Sequence, residues 1–217
     1  MSRNSRHYVY ISWSKVNMHF EQLDPDTVAS ARVATGVSAT QGDYAKLAVV
    51  EHVLRSAPLG TVEHPGTDWF EGELSMQWGP LDTMSNSGMM VWFLGKRGDS
   101  VVGLAGSSDH IVGFQRGTGY WSYSSLPAIV KALHEHREIV VPSWGRDELS
   151  MGNVEDWRDP VGAALRDVAY ITALARCPEQ RVRFLAHVLY SRGGVPTGFD
   201  SDDGHTVTLA TPLYVAL

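Results

Sequence analysis

Hydrophobic and polar positions alternate most cleanly between Trp69 and Trp78. Phe70, Leu74, Met76 and Trp78 fall on one side of an extended chain, and Glu71, Glu73, Ser75 and Gln77 on the other. A polar break with Ser85-Asn86-Ser87-Gly88 follows. Met89–Leu94 comes next, apolar on both faces, then the turn Gly95–Asp99, then a third run over 100–106. This succession predicts a three-stranded antiparallel meander whose middle strand is covered on both sides. The triplet Arg97-Gly98-Asp99 needs no adhesion role, because a tight hairpin asks for Gly and Asp there anyway.

The flanking segments are read the same way. His7–Trp13 is aromatic and β-branched and predicts a strand, with Val9 and Ile11 on one face and Tyr8, Tyr10 and Ser12 on the other. Ser14–Met18 then leaves as a loop or short turn, and Leu23–Gly42 reads as loop with room for a strand around Val33 and Val37. A helix begins at Gly42-Asp43, carries Leu47, Val50 and Leu54 on one stripe, and stops before Pro58. Further helices are expected near 125–137, capped by Ser124 or Ser125, and near 160–176, started by Asp159-Pro160. Val182–Tyr190 fits helical and alternating patterns alike, and helix is the favoured reading. Thr206–Leu217 is a buried strand interrupted by Pro212. The expected fold is therefore α+β: a mostly antiparallel sheet built on the meander and packed by three to four helices, in a single domain spanning residues 1–217.

Composition narrows the setting. At 43% hydrophobic, 217 residues can bury a core without metal or disulfide staples. The net charge of −6 is interspersed, with no basic stripe for nucleic acid. A single cysteine, Cys177, excludes an intrachain disulfide and suits the cytoplasm. No apolar run reaches the roughly 18 residues of a membrane span. A homo-oligomer is compatible with all of this.

Chemistry is concentrated in a few places. Glu71 and Glu73 share a strand face roughly 7 Å apart, and would form an acid/base pair if that face lined a pocket. The ordinary reading of such alternation is a half-exposed strand with solvated charges. Ser107-Ser108-Asp109-His110 ends the meander with a carboxylate and an imidazole side by side, a general-base arrangement or simply a capped polar turn. Lys15, just past a strand end, is an anion contact or a solvated charge. Tyr10, Trp78, Trp121 and Trp144 are the aromatic side chains available to line a cavity between the sheet and loops 107–123 and 142–157. No Gly-x-Ser-x-Gly elbow or nucleotide-binding glycine signature is present. Metal binding is not expected. His134-Glu135-His136 places its histidines on different helix faces, and Asp200–His205 lacks the carboxylate that a calcium loop needs at Thr211. No cofactor is called for.

Several stretches together resemble an actinobacterial family of unknown function. They are Tyr8-Val9-Tyr10-Ile11-Ser12 with Lys15-Val16-x-Met18, the strand Trp69-Phe70-x-Gly72-x-Leu74 to Trp78-Gly79-Pro80, Gly106-Ser107 to His110-x-x-Gly113, and Thr211–Leu217. The resemblance implies a soluble bacterial protein encoded beside specialised-metabolism or defence genes. It brings no activity and no catalytic residues. The resulting expectation is a small-molecule enzyme using Glu71, Glu73, Asp109 and His110 for cofactor-free cyclisation, isomerisation or dehydration. The alternative is a non-catalytic ligand-sensing or interaction domain.

Overall fold

A computed structural model describes residues 6–81, 89–113, 125, 128–129, 179–195 and 205–217. Six strands and three α-helices are found in them. They are β1 (Tyr8–Ile11), α1 (Trp13–Glu21), α2 (Pro25–Thr35), α3 (Asp43–Ser56), β2 (Trp69–Leu81), β3 (Met90–Arg97), β4 (Ser100–Ser107), β5 (Gln180–Val195) and β6 (His205–Ala216).

The meander β2-β3-β4 forms as the alternation predicts, with Trp78 opposite Phe93 and Phe93 opposite Leu104. It is part of a larger closed structure. The strand order is β1-β6-β4-β3-β2-β5, and β5 pairs back onto β6, so that five strands close into a barrel. The sheet is mixed, because β4 and β6 run parallel. Phe70, Leu74, Met76, Phe93, Leu104 and Phe184 fill the interior. Gly72 lies opposite Phe184, and a Cβ there would come within 2.8 Å of its ring and 2.5 Å of Val62, so glycine makes room for the aromatic. On the other face of β3, Met90, Trp92 and Leu94 are equally buried.

Three local expectations are corrected. Val182–Tyr190 is not a helix but the centre of β5. Its outer Leu185 is as buried as its inner Val182, Phe184 and Ala186. A strand buried on both faces loses the period-2 signal that would have marked it. Ser14–Met18 is not a loop but lies in α1. Leu23–Gly42 holds no strand; it forms α2. Asp24 caps that helix by accepting the Thr27 N–H at 2.9 Å, Pro25 takes the first turn, and Gly36 ends it at φ 67°.

The face assignment in β1 also changes. A bulge between Tyr8 and Tyr10 puts Tyr10 in the barrel interior with Val9, while Tyr8 and Ile11 face the helices. There Ile11, Val16, Leu47, Val50, Leu213 and Tyr214 make a second core between α1, α3 and the barrel wall. α3 starts and stops where the sequence places it. Of the helices expected near 125–137 and 160–176, only Ser125, Ala128 and Ile129 are described. Ile129 is fully buried and donates its N–H to the Ser125 carbonyl at 3.1 Å.

Among the described residues no helix is long and apolar enough to cross a membrane.

Candidate functional site

The site lies where β6 changes neighbours. One edge of β6 pairs with β5. The other serves β4 over residues 206–210 and β1 over 214–216. Between these stretches β6 bulges at Pro212, which has no N–H to leave unpaired. β1 turns into α1 beside this bulge, and the Ser12 N–H donates to the Leu213 carbonyl at 2.8 Å. The turn after β4 comes up alongside, with Ile111 bridged to Tyr10. Three chain segments thus meet at one corner: 10–15, 107–111 and 211–213.

Lys15 occupies this corner. It shares the inward face of α1 with Val16 and is only 8% exposed. Its Nζ donates to Thr211 Oγ1 at 2.6 Å and to the Pro212 carbonyl at 3.3 Å. Both acceptors are uncharged, and among the described residues no ion pair to a carboxylate is found for it. Burial without a counter-charge favours the free amine and pulls its pKa down to about 8.

His110 stands on the solvent side. Burial, then the charge of Lys15, lowers its pKa to about 4, so the ring is neutral at physiological pH. Its Nε2 is 3.2 Å from Ser14 Oγ, and Ser14 Oγ is 3.3 Å from Ser12 Oγ. The turn that presents it is capped by Ser107, whose hydroxyl accepts the Asp109 N–H at 3.4 Å. Tyr10 packs edge-on against His110 at 5.8 Å and against Phe93 at 6.1 Å, and Phe93 stacks on Trp78 at 5.5 Å. Burial raises the Tyr10 phenol well above its ordinary value. The Ser12 hydroxyl opposes this from nearby but without hydrogen-bond geometry, and the phenol makes no hydrogen bond among the described residues.

A second polar row continues from Thr211 across the barrel's outer wall. Thr211 is opposite His187, and His187 opposite Trp69. The Trp69 ring contacts His187 and His19 of α1 at 5.3 Å each. His187 Nε2 is 3.3 Å from Asp68 Oδ1. Burial first, then His187 and, more weakly, Lys15, hold the His19 pKa below its usual value, while Asp68 opposes them.

The acidic pair of β2 is placed elsewhere. Glu71 and Glu73 point out of the barrel, as alternation requires, and each meets arginine. Glu71 Oε2 accepts from Arg55 at 2.6 Å, within a network in which Glu51 also takes Arg55 at 2.7 Å, the Tyr214 hydroxyl at 3.0 Å, and Arg6. Glu73 lies between Arg183, at 2.7 Å, and Arg181. The Arg183 hydrogen bond is the main reason its pKa falls, so it stays ionised. Neither carboxylate is joined to His110 by any described contact.

The structure therefore brings Tyr10, Lys15, Asp109 and His110 to one corner and links Trp78 to them through Phe93. Trp121 and Trp144 lie outside the described residues, as do most of the loops expected to wall the cavity, Cys177, His134-Glu135-His136 and 200–204. Sequence reasoning passed over Ser12, Ser14, His19, His187 and Thr211. One signal was available. Lys15, Val16 and His19 fall on one stripe once 13–21 is taken as a helix, which flags a lysine on a buried face.

A family described as a family of unknown function (DUF7019) matches residues 6–217, and the chain belongs to it. No curated protein and no solved structure matches the chain.

Proposed function

For this member of a family of unknown function, we propose that the corner between α1 and the β6 bulge binds a small organic molecule and performs cofactor-free acid–base chemistry on it, of the isomerisation or dehydration type used in bacterial specialised metabolism. Buried Lys15, held among the described residues by uncharged acceptors, is the observation that carries the reading. With a pKa of about 8, roughly a quarter of the amine is unprotonated at pH 7.5, against about 0.1% for an ordinary lysine. Lys15 is the base. Neutral His110, in contact with exposed Ser14, relays the proton on the solvent side. Tyr10, Phe93 and Trp78 supply an aromatic wall. Glu71 and Glu73 take no part, since arginines occupy them.

The test is a titration of isotope-labelled protein with small hydroxy- and keto-acids in heavy water. Binding compounds should shift the amide signals of 12–16, 109–111 and 211–213, and should exchange a carbon-bound hydrogen for deuterium. Both effects should vanish in Lys15→Met. If no compound moves those signals, or if Lys15→Met responds like the parent, the site assignment fails. Binding without exchange selects the second reading, a ligand sensor. What favours that one is the direct tie of Lys15 to Thr211 and Pro212, through which a ligand touching the amine would displace β6.

A further inference from the structure

We infer that Lys15 is a nucleophile as well as a base, and that the ligand class of this corner is an aldehyde or ketone, captured as an imine on Nζ. This deepens the acid–base reading of the site and rests on it. The argument starts from hydrogen-bond counting. An ammonium has three N–H donors; a neutral amine has two and a lone pair. Lys15 Nζ has two acceptors within reach, Thr211 Oγ1 and the Pro212 carbonyl. Among the described residues these two acceptors satisfy the neutral amine in full and leave its lone pair unengaged. Neither acceptor carries charge, so neither favours protonation. Lys46 shows the contrast: it pairs with Asp43 at 3.4 Å and donates to Asn17 at 2.9 Å, so a carboxylate stands beside its amine. A desolvated lysine without a carboxylate is the arrangement that activates amines toward carbonyl carbon.

The chemistry balances without any further reagent. The Nζ lone pair forms the new C–N bond as the carbonyl π pair moves to oxygen, which takes up a proton to give a carbinolamine. The nitrogen gives up both of its protons, one to balance that uptake and one to the hydroxyl, which leaves as one water, so that C=N replaces C=O. His110, neutral and within the field of Lys15, is the group suited to accept the proton from nitrogen and return it to the departing hydroxyl.

The intact chain is treated briefly with acetaldehyde, and separately with glyoxylate, in the presence of cyanoborohydride at pH 7.5, then digested and mapped by mass spectrometry. The chain has four lysines, at 15, 46, 96 and 131, so the other three are internal references. Lys15 should be alkylated at least about tenfold faster than Lys46, a conservative fraction of the roughly 200-fold excess of neutral amine that a pKa of about 8 gives over an ordinary lysine. Labelling of Lys15 no faster than Lys46 with both probes overturns the inference. A parallel NMR titration of the lysine Nζ groups separates the two levels of argument. If Lys15 titrates near 8 yet is not alkylated, the imine falls and the acid–base reading stands. If it titrates like an exposed lysine, both fall.

Discussion

Replacing Lys15 by Met keeps the aliphatic stem and removes the amine. Two opposing terms follow. At neutral pH the native state holds a charge it disfavours: with a pKa of about 8 in the fold against about 10.5 unfolded, the linkage cost at pH 7 is about 3.3 kcal/mol. Met removes that cost but leaves the Pro212 carbonyl and Thr211 hydroxyl without their donor, a loss of about 1–3 kcal/mol. The net effect at pH 7 is small. Its pH dependence is not, because only the first term titrates. The folded pKa lies below the unfolded one, so the unfolded chain binds the extra proton between them, and parent stability rises with pH across that window. At pH 9.5 the cost has shrunk to about 1.4 kcal/mol. The parent should therefore gain about 2 kcal/mol on Lys15→Met between pH 7 and pH 9.5. Urea denaturation of both proteins at the two pH values measures this directly, and other titrating groups cancel in the difference. Parallel stabilities across the range would refute the idea of a buried, uncompensated amine.

His110 should give a result of the same sign in acid. Its folded pKa of about 4 lies below the unfolded value, so its contribution is complete above about pH 6.5 and is lost as pH falls toward 4. The loss is about 2 kcal/mol after allowing for partial solvent access, and it should be missing from denaturation curves of His110→Asn. Gly106→Ala places a Cβ 2.2 Å from the Tyr10 hydroxyl and should cost about 1–3 kcal/mol; thermal unfolding of the double variant with Tyr10→Phe should recover part of it, since one clashing atom is gone. Glu51→Ala strips partners from Arg6, Arg55 and Tyr214 and should lower stability by about 2–3 kcal/mol in chemical denaturation. Glu73→Gln, by contrast, should leave ligand-induced shifts at 12–16 unchanged, because its arginine partners lie on the outer wall.

Much of the meander was legible because its signals are local. Phe70, Leu74 and Met76 alternate with Glu71, Glu73 and Ser75, one face apolar and one polar, and Gly98 sits where the hairpin needs a left-handed residue at φ 55°. The helix over 43–56 was legible for the same reason. α2 carries a readable start signal, because Asp24-Pro25 repeats the Asp-Pro pair that predicts a helix at Asp159-Pro160. β5 was not readable from period alone, because Leu185 is covered by the helix-side core while Phe184 fills the barrel. The corner was partly visible. Tyr10, Lys15, Asp109 and His110 were singled out one by one, whereas Glu71 and Glu73, grouped with them, meet arginines on the outer wall.

The sequence by itself determined which residues alternate, where helices can begin, and which side chains carry usable chemistry, since each of these depends on neighbours within a few positions. Tertiary structure decided the rest. Ring closure by β6, which pairs with β5 on one edge and with β4 and β1 in turn on the other, joins residues far apart in the chain. The pairing of β1 along β6 is what puts Thr211 and Pro212 against Lys15. A lysine pKa is set by desolvation and by the absence or presence of a counter-charge, and both depend on how the chain folds around the amine, not on the residues beside it in sequence.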